Sequence, residues 1–267
     1  MLNIIRASIF KLLRDWTFRI TMMIGVGLAV MLIVINAIAG TLTGESMFLS
    51  SASPSSNFGL TVPINLVVFT VSEFTYGTIR NKVIAGHSKY KVYVGLFLTG
   101  LIFTFILMSV YLAFCIGLGS AIGGFDAVSI GGAKFILSYL AYIFASYTFI
   151  TALSIFFATL FRSIGGSISV VVVILVFLGL MPLIIAGING KDFLSENVTM
   201  WVEPLYMLGL YTNASSILSI LKGVGLNTST LFNQSANLIA AGIIAPLYWA
   251  GIFFGAGALI FTHRDLK

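Results

Sequence analysis

Long apolar runs broken by short polar stretches dominate this chain, and their lengths specify helices that cross a membrane. The runs cover roughly 20–39, 58–76, 92–118, 135–161, 164–186 and 238–261, most of them at or above the ~20 residues that a spanning helix needs. Ahead of the first run, Leu2, Ile5, Ile9, Leu12, Leu13 and Trp16 fall on one side of a helical wheel. Asn3, Ser8, Lys11, Arg14 and Asp15 fall opposite. That pattern predicts an amphipathic elbow helix over 1–19, lying in the membrane interface. Its length and basic character argue against a cleavable leader, so the chain is expected to stay embedded from residue 20 onward.

The polar stretches between the runs are read as loops. A Ser-, Gly- and Asn-rich segment over 40–57 and a Gly-rich turn, GLGSAIGGFDAVSIGGAK, are expected on the outer side. The region 187–237 is harder, because Trp201 to Leu221 is fairly apolar yet contains Glu203, Pro204 and TNASS. A crossing there would carry His263, Arg264 and Lys267 to the outside, against the charge bias of membrane proteins. The region is therefore expected to form external interfacial or re-entrant helices before the last span. The fold class that follows is an all-α integral membrane protein, one domain over 1–267 with six transmembrane helices.

Charge fixes the orientation. The inner side receives Arg6, Lys11, Arg14, Arg19, Arg80, Lys82, Lys89, Lys91, Arg162, Arg264 and Lys267, against Lys134, Lys191 and Lys222 outside. Eleven against three is a strong positive-inside bias, with both termini in the cytoplasm. Composition agrees: 59% of the residues are hydrophobic, 8% are charged, and the mean hydropathy is +1.09. The net charge of +6 lies between apolar segments and not on a soluble face, so it marks topology and excludes nucleic acid as the expected partner.

Candidate chemistry is sparse. The single cysteine, Cys115, sits in an apolar run as a small hydrophobe with no partner for a disulfide. His87 and His263 have no metal-ligand spacing to a Cys, Asp or Glu, so no metal site is expected. No catalytic residue is assigned, and the protein is not expected to be an enzyme. Within the spans only Asn36, Asn65 and hydroxyls appear, with Glu73 at one end, so no proton- or ion-coupling site stands at the midplane. The chain also lacks a Walker-type phosphate loop. Any energy for uphill transport must come from a partner. The pairs Gly119/Gly123 and Gly251/Gly255 have a spacing that permits close helix approach, a weak signal in a chain with 27 glycines.

The longest polar, basic interruption is Glu73 to Lys91, EFTYGTIRNKVIAGHSKYK. Thr75 to Ile84 can form a short helix, Gly86 is a good left-handed stop, and Ser88 can cap the next helix. Glu73 is expected to bond to neighbouring backbone or to Arg80. The segment resembles the coupling region of the type-2 ATP-binding-cassette exporter permeases. In that family a Glu at the end of span two is followed by Gly-Thr-hydrophobic-Arg, here Glu73 and then Gly77, Thr78, Ile79 and Arg80. The ending FTHRDL is similar to the family's aromatic-x-x-Arg-Asp terminus.

The resemblance implies a bacterial plasma-membrane permease that pairs with a second copy or a related chain and binds cytoplasmic ATPases, which hold the ATP and Mg. It would export an amphipathic substrate such as an antimicrobial peptide, a drug or a lipid. It also implies that Glu73, Gly77, Thr78, Arg80, Lys82 and Lys89 form the coupling segment over 73–91. Lys11, Arg14, Trp16 and Arg19 would hold the elbow at the bilayer surface. The competing expectation is a non-transporting scaffold or sensor whose basic inner loop binds a regulator or anionic lipid.

Overall fold

The computed structural model describes residues 2–14, 16–38, 40, 42–44, 47–48, 57–124, 132–189 and 228–264. Every extended element among them is α-helical: α1 Leu2–Arg14, α2 Trp16–Ile38, α3 Asn57–Thr75, α4 Thr78–Ile84, α5 Lys89–Gly123, α6 Gly132–Phe161, α7 Ile164–Asn189 and α8 Thr228–His263. Trp16–Ile38, Lys89–Gly123 and Leu140–Phe161 are long and apolar enough to cross a membrane. A fourth crossing arises if Leu60–Thr75 and Thr78–Ile84, bent by 56° at their junction, count as one. These helices mark a membrane-embedded protein. The expected external region between 190 and 227, the loop over 49–56 and the end of the chain from Asp265 lie outside the described residues.

Several boundaries differ from the sequence reading. The Gly-rich stretch expected as a turn begins inside α5, which runs on to Gly123. At 35 residues α5 is about 52 Å long, well beyond a hydrocarbon core of about 30 Å, so it extends past the core at one end or both. Its glycines hold that end by close packing. A Cβ at Gly119 would meet the Met47 side chain at 2.8 Å, and one at Gly123 would meet the Thr43 backbone at 2.9 Å. Gly44 N–H also donates to the Gly124 carbonyl at 2.8 Å. The Gly119/Gly123 pair thus receives residues 42–44 and Met47 of its own chain and is not free for another helix. Gly251 and Gly255 have nothing within 4 Å of a built Cβ. α8 starts at Thr228, inside the region expected to be external.

α6 is the centre of the bundle. Its crossing segment is 72% buried, against 28% for α2 at the edge. Within lipid, helices associate by close packing and polar contacts, because burying apolar surface gains little there. Both devices are present. A Cβ at Gly100 of α5 would lie 2.8 Å from Ile155 and 3.3 Å from Leu66, so α3, α5 and α6 meet at that glycine. Thr104 and Thr151 pair their hydroxyls at 3.0 Å between α5 and α6, and Thr21 donates to the Asn65 carbonyl oxygen between α2 and α3.

Aromatic rings fasten α8 to this centre. Phe253 contacts Phe149, Phe156 and Phe157 of α6, and Phe254 lies 4.7 Å from Phe97 of α5, centroid to centroid. Tyr93 meets both Phe254 and Phe261, and Phe261 also meets Phe74 of α3. Tilted and edge-on pairs of this kind contribute about 0.5–1.5 kcal/mol each beyond area burial.

Candidate functional site

The corner between α3 and α4 is built by one glycine. Gly77 takes φ 66°, ψ 12°, a left-handed conformation that a residue with a Cβ adopts only under strain. The turn ends α3 at Thr75 and starts α4 at Thr78, so the short helix does not begin at Thr75 as the sequence suggested. Its other end follows the sequence rule: Gly86 is left-handed at φ 89°, and the Ser88 hydroxyl accepts from the Lys91 amide at 3.4 Å to begin α5. Ile79 pins α4 to the bundle, buried to 1% exposure, while Arg80 and Asn81 face outward.

Glu73, one turn before the corner, is fully buried. Its two carboxylate oxygens take separate lysines: Lys11 Nζ lies 2.5 Å from Oε1, and Lys82 Nζ lies 2.8 Å from Oε2. Lys82 also donates to the Ser8 hydroxyl at 3.2 Å. Neither neighbouring backbone nor Arg80, the expected partners, takes the carboxylate, and a bridge joins α1, α3 and α4 instead. Arg80 points away because α4 presents Ile79 and Lys82, three positions apart and on one helical face, to the bundle. Desolvating a lone carboxylate costs several kcal/mol, which two charge-assisted hydrogen bonds offset here. Lys11 also lies 5.9 Å over the Tyr76 ring.

Two residues on the expected outward side of α1 thus face inward. Ser8 is buried and Lys11 is half-buried, whereas Arg14 is exposed. Trp16 is 67% exposed, and Arg19 sits 6.0 Å over its ring while donating to the Arg14 carbonyl at 3.3 Å. Of the residues assigned to coupling and elbow, the structure joins Lys11, Glu73 and Lys82 in one cluster and Arg14, Trp16 and Arg19 in another. It leaves Arg80 apart on the surface.

Lys89 has a different task. Its ammonium donates to the carbonyls of Thr262 at 3.2 Å and Arg264 at 3.0 Å, satisfying the end of α8. Arg264 in turn donates to the Leu160 carbonyl at 2.6 Å, at the end of α6. Cations there complement the negative end of each helix dipole. Arg162 follows α6 in a left-handed conformation, φ 55°, with its guanidinium 5.2 Å over the Phe74 ring. Burial first, and the neighbouring Arg264 second, hold its pKa below the ordinary arginine value. Sequence reasoning put Arg162 and Arg264 on the same side as this surface but gave them no role in it, and it missed Ser8. The only available signal was the known preference of basic residues for helix C-termini.

All these groups gather at one end of the bundle. Glu73 is the only carboxylate among the described residues, and no three His, Cys, Asp or Glu side chains among them come together as a metal would need. The surface offers an exposed basic helix corner held by a buried ionic bridge. No protein-family model and no curated protein matches the chain.

Proposed function

We propose that this chain is the membrane permease subunit of an ATP-binding-cassette exporter of the type-2 class, working in a bacterial plasma membrane. In this reading α2, α3, α5, α6, α7 and α8 are six spans, α1 is the interfacial elbow, and both termini are cytoplasmic. α4 is the helix that receives force from a separate cytoplasmic ATPase, which carries the ATP and Mg. The functional pore forms between this chain and a second permease copy or a related chain, and the cargo is an amphipathic peptide, drug or lipid.

The observation that carries the reading is the coincidence of motif and geometry at the α3–α4 corner. Gly77 and Thr78 of the motif stand at the 56° bend, Glu73 is buried beneath it, and Arg80 is exposed on the short helix. A corner latched to α1 by Glu73 would pass a push on α4 into α3 and α1 together. A passive topology loop would need only the basic charge, without a buried acid to organise it.

The test is co-expression with candidate ATP-binding-cassette ATPases from the source genome. The reading expects one of them to copurify as a stable complex and to hydrolyse ATP faster when amphipathic peptides are added. If no ATPase copurifies and transport persists in vesicles without one, the reading fails and a scaffold or sensor role takes its place.

A further inference from the structure

Arg6, Phe10 and Arg14 recur at four-residue intervals along α1, and all three are exposed, Phe10 to 67%. That interval places them on one stripe of the helix. At the start of α2, Trp16 is also 67% exposed, and Arg19 stacks over it and reaches back to the Arg14 carbonyl. On the docked side of α1, Ser8 and Lys11 turn toward Lys82 and Glu73. A helix meeting water would turn those polar groups out and its aromatics in. Here two large aromatics interleave with three arginines on the side facing away from the bundle.

Charge narrows the occupant. Among the described residues no carboxylate pairs with Arg6, Arg14 or Arg19, since Glu73 is engaged by Lys11 and Lys82. Asp15, the one acid nearby in sequence, lies outside the described residues. The stripe also runs directly into α2, which is long and apolar enough to span the membrane from Trp16 onward.

We propose that this stripe binds the headgroups of anionic phospholipids. The arginines take phosphate oxygens, for which the guanidinium fork is well shaped. Phe10 and Trp16 sit at the headgroup boundary, where amphipathic rings are most stable. The site lies on the helix that Lys11 bridges to Glu73, two ion pairs from α4. The inference stands whether or not the chain is an exporter, because it uses only α1 and the start of α2.

The test uses the full chain carrying Trp201→Phe and Trp249→Phe, so that Trp16 is the sole tryptophan, in nanodiscs. Phosphatidylglycerol brominated on its acyl chains is compared with brominated phosphatidylcholine at equal mole fraction. Stronger quenching by the phosphatidylglycerol, lost when Arg6→Gln, Arg14→Gln and Arg19→Gln are added, is the expected result. Equal quenching by both lipids, or a preference that survives the triple substitution, overturns the proposal. Should the tryptophan-reduced chain fail to fold, the thermal unfolding of the unaltered protein in neutral detergent decides. Phosphatidylglycerol should raise the midpoint while phosphatidylcholine and inorganic phosphate do not. No lipid-specific rise, or an equal rise with free phosphate, contradicts the assignment.

Discussion

The ammonium of Lys11 lies 2.5 Å from Oε1 of Glu73, although 62 positions separate them in the chain. The contact ties the N-terminal helix to the corner between α3 and α4, and Lys82 completes it from the other side of the corner. Removing the acid leaves two ammonium groups facing each other in a partly desolvated site. Glu73→Gln is expected to destabilise the protein by about 3–5 kcal/mol, in the range for breaking buried ion pairs. Lys11→Met should cost less, because Lys82 still neutralises the carboxylate. Reversible unfolding in mixed micelles measures both, and equal costs would show that the two lysines do not share the charge.

At the corner itself the backbone is decisive. A Cβ at Gly77 meets nothing within 4 Å, so the penalty of substitution is the left-handed conformation alone. Gly77→Ala is expected to cost about 1–2 kcal/mol, and Gly77→Asn clearly less, since Asn tolerates this region. A thermal-shift series of the two variants checks the order. A loss in Gly77→Asn as large as in Gly77→Ala would point to a contact and not to φ.

Near the same end of the bundle Tyr93 lies in a notch at Gly257. A Cβ there would overlap the Tyr93 hydroxyl and stand 2.9 Å from Cζ of the ring. The hydroxyl is buried without a hydrogen-bond partner among the described residues. Tyr93→Phe should therefore be neutral or stabilising by up to about 1 kcal/mol. Gly257→Ala should cost about 1–3 kcal/mol through overpacking. The double variant should recover part of that loss, because the oxygen that clashes is gone. A double-mutant cycle with no coupling would contradict the packing described.

Lys89 and Arg264 act as helix-end donors. Replacing Lys89 with Met strips the Thr262 and Arg264 carbonyls of their partner and is expected to cost about 1–2 kcal/mol, the loss for a charge-assisted hydrogen bond. Hydrogen exchange should report the loss as earlier opening of the last turn of α8, around Leu259 to His263. Unchanged protection there would assign Lys89 to a surface role instead.

Local rules were legible in the sequence where they act within a few residues. Gly86 and Ser88 stand where the stop and cap rules put them, and the apolar runs carry the long helices. Glu73 was legible as a costly carboxylate at a span end, but its partners were not. Arg80 is the arginine of the motif and lies seven positions away, whereas Lys11 is brought in only by the packing of α1 against α2 and α5. Orientation around α1 also escaped, because a helical wheel separates polar from apolar but cannot say that Ser8 and Lys11 are polar because they meet a buried acid. Lys89 was read as part of the coupling segment, and its contacts at the end of α8 escaped for the same reason: the carbonyls it satisfies belong to the far end of the chain. Of the region 187–237 expected as external helices, 187–189 belong to α7 and 228–237 to α8, and the rest lies outside the described residues.

The central claim is that α4 touches an ATP-binding-cassette ATPase, and a single thiol tests it most directly. Cys115 is the chain's only cysteine and is fully buried, so Arg80→Cys introduces one accessible sulfur on the exposed face of α4. In membranes holding the chain together with the ATP-binding-cassette ATPase proposed as its partner, a short thiol-to-amine crosslinker placed at residue 80 should yield a covalent adduct of the two proteins. The yield should change when ATP is hydrolysed. A thiol at that position that labels freely with maleimide yet never joins the ATPase, with and without ATP, would contradict the account.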